Sequence, residues 1–162
     1  MYVDDSEGGR MAERRGGQPD VLDLWRQLTV LTGRLGQALD KRLVREFDLT
    51  LTEMLVLDEL IRGNPRGMRI QDLSDAVALD QSSMSRLVSR LTAKQLAARV
   101  SCEHDRRGVY CQITDLGTER YAAAARVSRA ELGAALDAAA FDDRLASVVA
   151  RLTRPVVTPA DT

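Results

Sequence analysis

The chain has 162 residues, a formal net charge of −1 and 44% hydrophobic residues, which is the size and apolar content of one ordinary domain with a core. No apolar run approaches the roughly 18 residues that a membrane span needs, so we expect no membrane partner. His104 is the only histidine, and the sequence has no metal-ligand cluster or nucleophile motif. We therefore expect neither an enzyme nor a cofactor or metal site.

The two ends of the chain are expected to lack regular structure. Residues 1–20 carry acidic residues and glycines but no apolar centre of a secretion signal, which predicts a disordered tail in a cytoplasmic protein. Pro155 and Pro159 predict a frayed tail over 155–162.

Leucines recur every three or four residues from Val21 to about Phe47 and predict a long helix within the segment 21–48. The stripe consists of Leu24, Leu28, Leu31, Leu35, Leu39 and Leu43. A second helix is predicted to begin at Thr52 and to end in the turn 63–67, whose glycines and proline stop a helix.

A helix-turn-helix is predicted next. A short helix from Ile70 to Val77 and a three-residue corner, 78–80, lead into a second helix that Asp80 can cap. The apolar face of this second helix consists of Met84, Leu87, Val88 and Leu91. Small hydroxyls and Arg86 on its polar face suit close approach to phosphates and base edges in a major groove. The expected DNA contacts on this helix are Gln81, Ser82, Ser83, Ser85, Arg86, Ser89 and Arg90.

A basic hairpin, or wing, is predicted to follow the second helix. Its expected strands, Ala98–Cys102 and Val109–Ile113, carry β-branched and aromatic residues on either side of the charged tip 105–108. Six basic residues stand against two acidic ones between Gln81 and Arg107, which concentrates positive charge where DNA would lie. The predicted fold class is mainly α (α+β): a winged helix-turn-helix lobe over 49–117, with a two-stranded wing and long terminal helices.

Several short motifs follow one another with a specific order and spacing. They are Leu87-Val88-Ser89-Arg90-Leu91, Lys94-Gln95-Leu96, Asp105-Arg106-Arg107-Gly108 and Ile113-Thr114-Asp115-Leu116-Gly117. In this order they resemble the MarR family of bacterial transcriptional regulators, and the resemblance is continuous from about Leu49 to Gly117. Gln95 replaces a usual glycine and Gly108 a usual alanine or serine, which affects the local turn geometry.

The resemblance implies a homodimer on a palindromic operator in double-stranded DNA, with the recognition helix in the major groove and a wing arginine in the adjacent minor groove. Its contacts carry over to Ser82, Ser83, Ser85 and Arg86 on the helix and to Asp105 and Arg107 on the wing. Physically, a charge-assisted bond from Asp105 can hold Arg107 or Arg86 in place. Arg106 can bind a phosphate instead.

Two further helices are predicted after the wing, over Thr118–Ala140 and Phe141–Leu152. Together with the first helix they are more than a DNA-binding unit of this size needs, and their alanine-rich faces allow helices to pack closely. We expect the segments 21–48 and 118–154 to form the dimer interface. The alternative is that each of them packs on its own subunit.

The expected function is a transcriptional repressor that a small ligand releases from its operator by changing the spacing of the two recognition helices. The resemblance implies an effector pocket where the dimer helices meet the DNA-binding lobe, often occupied by small aromatic anions. Trp25 can stack on such a ligand, while Arg26, Arg34 or Arg62 can pair with its charge. Alternatively, Trp25 belongs to the core or to the interface.

Two other functions remain open at this point. Cys102 and Cys111 would face each other across the wing if its turn is centred on Arg106-Arg107, and their oxidation would then change operator affinity; cytosolic cysteines on strands are otherwise reduced, buried apolar residues. A winged-helix module that binds a protein instead of DNA is also compatible with the slightly negative net charge.

Overall fold

The computed structural model describes residues 20–102 and 105–154, without the side chains at 102 and 105–107. The predictions for the two tails and for the wing-tip side chains therefore lie outside the described part. Six helices and three strands make up this part.

The first two helices, α1 (Val21–Phe47) and α2 (Leu51–Arg62), meet in a short corner. Leu31, Leu39 and Leu43 of the predicted leucine stripe are buried, and Leu24, Leu28 and Leu35 are partly buried against them. Helix α2 begins one residue before the predicted Thr52, because Thr50 and Glu53 form a capping box around its first turn.

The helix-turn-helix consists of α3 (Ile70–Ala76) and α4 (Gln81–Ala93). The corner between them has no glycine, and Ala78 adopts the left-handed conformation there with a φ of 54°. Asp80 caps α4 as predicted, since its carboxylate accepts a hydrogen bond from the Ser83 N–H at 2.9 Å. The predicted helix pair is thus present, with a strained alanine at its turn.

The strands β1 (Met68–Arg69), β2 (Ala97–Cys102) and β3 (Asp105–Ile113) form an antiparallel sheet in the order β1-β3-β2. The predicted two-stranded wing is confirmed as the hairpin of β2 and β3, and β1 adds a third strand to it. The sequence does not predict β1, because its two residues are too few to show any alternation. Met68 pairs with Cys111 and Arg69 with Tyr110.

The wing turn also differs from the prediction. Cys102 pairs with Asp105, so Arg106 and Arg107 lie within β3 and are not the centre of the turn, and Cys111 pairs with Arg99. Three residues of strand, about 10 Å, therefore separate Cys102 from the position opposite Cys111. Since a disulfide needs Cα atoms within about 7 Å of each other, the predicted facing of the two cysteines is wrong.

The C-terminal part consists of α5 (Asp115–Ala140) and α6 (Ala146–Leu152), and a turn at 141–145 interrupts the predicted segment Phe141–Leu152. Thr114 caps α5. At Gly117 a Cβ atom would overlap the backbone oxygen of Leu96, so a glycine is needed where α5 begins against the end of the helix-turn-helix.

The buried residues fall into two clusters. The larger cluster joins the end of α1, α2, the helix-turn-helix, the sheet and the first half of α5. The smaller one lies between α1, α5 and α6 and centres on Leu31, Leu145, Val148 and Val149. Among the described helices, none is long and apolar enough to cross a membrane. The winged helix-turn-helix thus shares its core with α1 and α5, and the terminal helices also pack on one another in a second, smaller cluster.

Candidate nucleic-acid interface

Helix α4 presents a polar face outward from the larger core. Its predicted apolar residues, Met84, Leu87, Val88 and Leu91, are all at most 2% exposed. On the opposite face Gln81, Ser82, Arg86, Ser89 and Arg90 are exposed, while Ser83 and Ser85 are partly buried. This division holds the helix by its apolar side and leaves the other side available to a groove.

The first turn of α4 is ordered by its cap. Hydrogen bonds from Ser82 and Ser83 hold the pKa of the Asp80 carboxyl well below its usual value, so the cap is ionised throughout the neutral range. Arg86 folds back over the same turn, with Nη2 at 3.2 Å from Ser82 Oγ and Nε at 3.4 Å from the Ser82 carbonyl oxygen. The cap, Ser82 and Arg86 thus form one connected group at the end of the helix that approaches DNA in this fold.

Arg99 on β2 joins the wing to α4. Its guanidinium donates to Ser89 Oγ at 3.0 Å and to the Ser85 carbonyl oxygen at 3.3 Å. In the sequence, Arg99 is only one of the six basic residues between Gln81 and Arg107. The packing of β2 against α4 brings Arg99 to the middle of the helix. This packing depends on the strand register, which no short stretch of sequence indicates.

An open cleft of about 560 Å³ lies between α4, the start of α3 and the wing. Arg69 and Arg99 line it together with Gln71, Gln81 and Ser85. Cations and amides on a concave surface suit a phosphate backbone, and this cleft continues the polar face of α4. The described part of the interface is therefore broader than the recognition helix itself.

The predicted DNA contact Arg90 has a partner within the protein. Its Nε lies 3.2 Å from Oε1 of Glu53, and Nζ of Lys94 lies 3.0 Å from Oε2 of the same carboxylate. The Glu53 side chain is 1% exposed. Burial by itself raises the pKa of Glu53, but hydrogen bonds from the Thr50 N–H, Lys94 and Arg90 outweigh it and hold that pKa below its usual value. The place of Arg90 on the polar face of α4 predicts a DNA contact, and nothing in the local sequence indicates its ion pair with Glu53.

The wing residues Asp105, Arg106 and Arg107 occupy the first positions of β3. Their side chains are outside the described part, and so are the predicted bonds from Asp105 to Arg107 or Arg86. The backbone register nevertheless places all three residues at the turn end of the hairpin.

The four residues predicted to bind an effector are not brought together. Trp25 is 65% exposed at the start of α1. Each arginine pairs with a carboxylate: Arg26 with Asp23, Arg62 with Asp58, and Arg34 with Asp142, which also pairs with Arg144. None of the four lines the cleft between α4, α3 and the wing.

A second open cleft, of about 470 Å³, lies between α1, the start of α2 and α4. Asp40 and Thr50 line one side, and Arg86 and Arg90 line the other. It therefore touches the long helix and the recognition helix at once.

Cys111 is buried under the sheet, and burial raises the pKa of its thiol to about 11 despite the nearby Arg99 guanidinium. A thiol with this pKa stays protonated and weakly nucleophilic at neutral pH. Together with the strand register, this corrects the expected redox pair: Cys111 is a buried apolar residue of the sheet.

The chain is similar to known regulators over most of its length. Residues 47–108 match the model of the MarR family. AbsC, a MarR family transcriptional regulator from Streptomyces coelicolor, is 27% identical with a TM-score of 0.67, over 86% of this chain and 93% of AbsC. Sco3205, a MarR family regulator from the same organism solved in complex with DNA, is 22% identical with a TM-score of 0.66, over 90% and 94% of the two chains. Wild-type MarR from E. coli, in its apo form, is 18% identical with a TM-score of 0.67, over 81% and 97%.

Proposed function

We propose that the chain is a DNA-binding transcriptional regulator of the MarR family, whose model matches residues 47–108, and that it acts as a homodimeric repressor that a small ligand releases from a palindromic operator. The observation that carries the proposal is the outward polar face of α4, capped by Asp80 and fastened to the wing by Arg99. A regulator of this kind acts in the cytoplasm by occupying its operator and needs no catalytic group.

The uncovered apolar side chains of the terminal helices support a homodimer. Leu22 is 72%, Trp25 65% and Phe141 89% exposed. Val21, next to Leu22, and Leu152 at the end of α6 are exposed as well. Large apolar side chains exposed in this number on two segments that pack together are typical of an interface. A second copy would cover them and place two α4 helices about 34 Å apart, one turn of DNA.

The second cleft supports ligand release. A ligand bound there contacts Asp40 of α1 and Arg86 or Arg90 of α4, so it changes the angle between the interface helix and the recognition helix. We propose this cleft for the effector in place of Trp25, Arg26, Arg34 and Arg62, because each of those arginines lies in an ion pair, whereas the described hydrogen bonds of Arg86 go only to Ser82. Arg86 favours an anionic ligand, and binding that favours one angle of α4 lowers DNA affinity by linkage.

Binding to the DNA upstream of its own gene tests the proposal. Fluorescence anisotropy would compare that duplex with a scrambled duplex at two salt concentrations, with and without a panel of aromatic carboxylates. We expect specific, salt-dependent binding that at least one compound relieves, and a sharp loss of binding in Arg86→Ala with Arg107→Ala. Equal binding to both duplexes, unaffected by these substitutions, would contradict it.

A further inference from the structure

Glu53 is a buried carboxylate in the DNA-binding lobe that does not itself face the DNA. We propose that Glu53 is a positioning residue for operator recognition: through Arg90 and Lys94 it fixes α4 against the corner between α1 and α2, and it keeps the Arg90 charge away from DNA. The inference rests on the proposed function only in requiring a specific operator.

Glu53 accepts hydrogen bonds from the cap of its own helix and from the C-terminal end of α4. Its carboxylate accepts from the Thr50 N–H at 3.0 Å, from Lys94 Nζ at 3.0 Å and from Arg90 Nε at 3.2 Å. A carboxylate at 1% exposure is stable as an anion only while such partners remain in place. The ion pairs therefore constrain where the second half of α4 lies relative to the start of α2.

Lys94 extends the constraint to α1. Its Nζ also donates to the Asp48 carbonyl oxygen at 2.5 Å and lies 3.5 Å from the Asp48 carboxylate. Asp48 is the residue that ends α1 in a left-handed conformation. One lysine thus links the end of the recognition helix to the start of α2 and to the end of the long helix that we assign to the interface.

The ion pair with Glu53 also determines where the charge of Arg90 lies. Arg90 lies one turn beyond Arg86 on α4, and its side chain is 53% exposed although it pairs with Glu53. Without the carboxylate, the freed arginine is available to any phosphate, which is a contact that carries no sequence information. Glu53 therefore affects specificity in two ways, by holding the angle of α4 and by restraining a sequence-independent cation.

The variant Glu53→Gln tests this, because glutamine at the same position still serves a capping box and only the charge is removed. The matched control is Asp58→Asn on the same helix, whose carboxylate pairs with Arg62 and accepts from Tyr121 of α5, away from α4. Affinity is measured by anisotropy for the duplex that wild type selects from random DNA and for a scrambled duplex, after circular dichroism has shown that each variant is folded.

We expect Glu53→Gln to lose about tenfold or more in affinity for the selected duplex, while its binding to the scrambled duplex stays equal or becomes tighter. The ratio of the two affinities then falls about tenfold or more, whereas Asp58→Asn leaves it unchanged. Loss of folded protein alone lowers both affinities together. A ratio in Glu53→Gln within about twofold of wild type would overturn the inference.

A second variant keeps the test decisive if Glu53→Gln does not fold. Arg90→Gln leaves Lys94 paired with the Glu53 carboxylate and adds no free cation. We therefore expect its affinity for the selected duplex to fall and its affinity for the scrambled duplex to stay unchanged. An unchanged ratio in this variant would overturn the inference as well. If wild type itself fails to distinguish the duplexes, the proposed function fails instead, and the two failures are thereby separated.

Discussion

Arg99 of the wing strand donates a hydrogen bond to Ser89 Oγ on the recognition helix at 3.0 Å, and the same guanidinium reaches the Ser85 carbonyl oxygen at 3.3 Å. Ser89 Oγ also donates to that carbonyl oxygen at 2.9 Å. The wing and the helix are therefore joined in the middle of α4 and approach DNA as one unit.

We predict that Arg99→Gln lowers operator affinity by about tenfold, because the shorter amide cannot bridge Ser85 and Ser89 and the wing loses its fixed angle to α4. Arg66→Gln makes the same change of charge at an exposed position in the turn before β1, near the end of β3 that lies away from the wing tip, and should stay within about twofold of wild type. Anisotropy with the same operator duplex measures both. Equal losses in the two variants would show that the general charge of the chain matters and the bridge does not.

The salt dependence of DNA binding distinguishes the roles of the two arginines of α4, Arg86 and Arg90. Arg86 contacts only Ser82 among its described hydrogen-bond partners, so Arg86→Gln should remove a DNA phosphate or base contact and reduce the slope of log affinity against log salt by about one per protomer. Arg90→Gln should leave the slope unchanged, since Arg90 pairs with Glu53. A reduced slope in Arg90→Gln would mean that Arg90 leaves Glu53 for DNA in the complex.

The part of this site that the sequence predicts is local. The buried face of α4 repeats with helical spacing, and the cap by Asp80 lies within three residues of its donor, so both appear in a short window of sequence. Arg99 and Ser89 are ten residues apart, and Glu53 and Lys94 are 41 residues apart. Contacts of this kind depend on how helices and strands pack, and no periodicity in the sequence predicts them.

The wing shows the same limit. Its strands are predicted from β-branched and aromatic residues, but β3 begins at Asp105, and nothing in the charged run 105–107 indicates that it belongs to a strand. The added strand β1 is set by its pairing with Tyr110 and Cys111. The register of β2 against β3 differs from the predicted one, and for this reason Cys102 and Cys111 do not face each other.

The corner of the helix-turn-helix offers a stability test. Ala78 has a φ of 54°, a conformation that costs a residue with a Cβ atom roughly 1–2 kcal/mol and costs glycine little. After the greater flexibility of glycine in the unfolded chain is subtracted, Ala78→Gly should raise the free energy of unfolding by about 0.5–1 kcal/mol. Urea unfolding measures it.

Ala76→Gly is the matched control, since Ala76 is exposed at the end of α3 in helical conformation. This variant should lose up to about 1 kcal/mol. A loss in Ala78→Gly equal to that in Ala76→Gly would contradict the left-handed corner.

The cysteines should not act as a redox pair. The register separates them, and the pKa of Cys111 is raised to about 11 by burial, so its thiolate form is scarce at pH 8. We predict that mild oxidation yields no Cys102–Cys111 disulfide in peptide mapping, and that iodoacetamide modifies Cys111 only after unfolding. Wild type and Cys111→Ser should then keep equal operator affinity after peroxide treatment. A Cys102–Cys111 crosslink in the folded protein would contradict the register.

Selection from random double-stranded DNA is the most direct test of the central claim, that two copies of the chain read DNA through α4. We predict an enriched palindrome with half-sites about 10 base pairs apart, centre to centre, bound by two chains per duplex in native mass spectrometry and lost in Arg86→Ala with Arg107→Ala. Recovery of no common sequence, or a single half-site bound by one chain, would contradict the account.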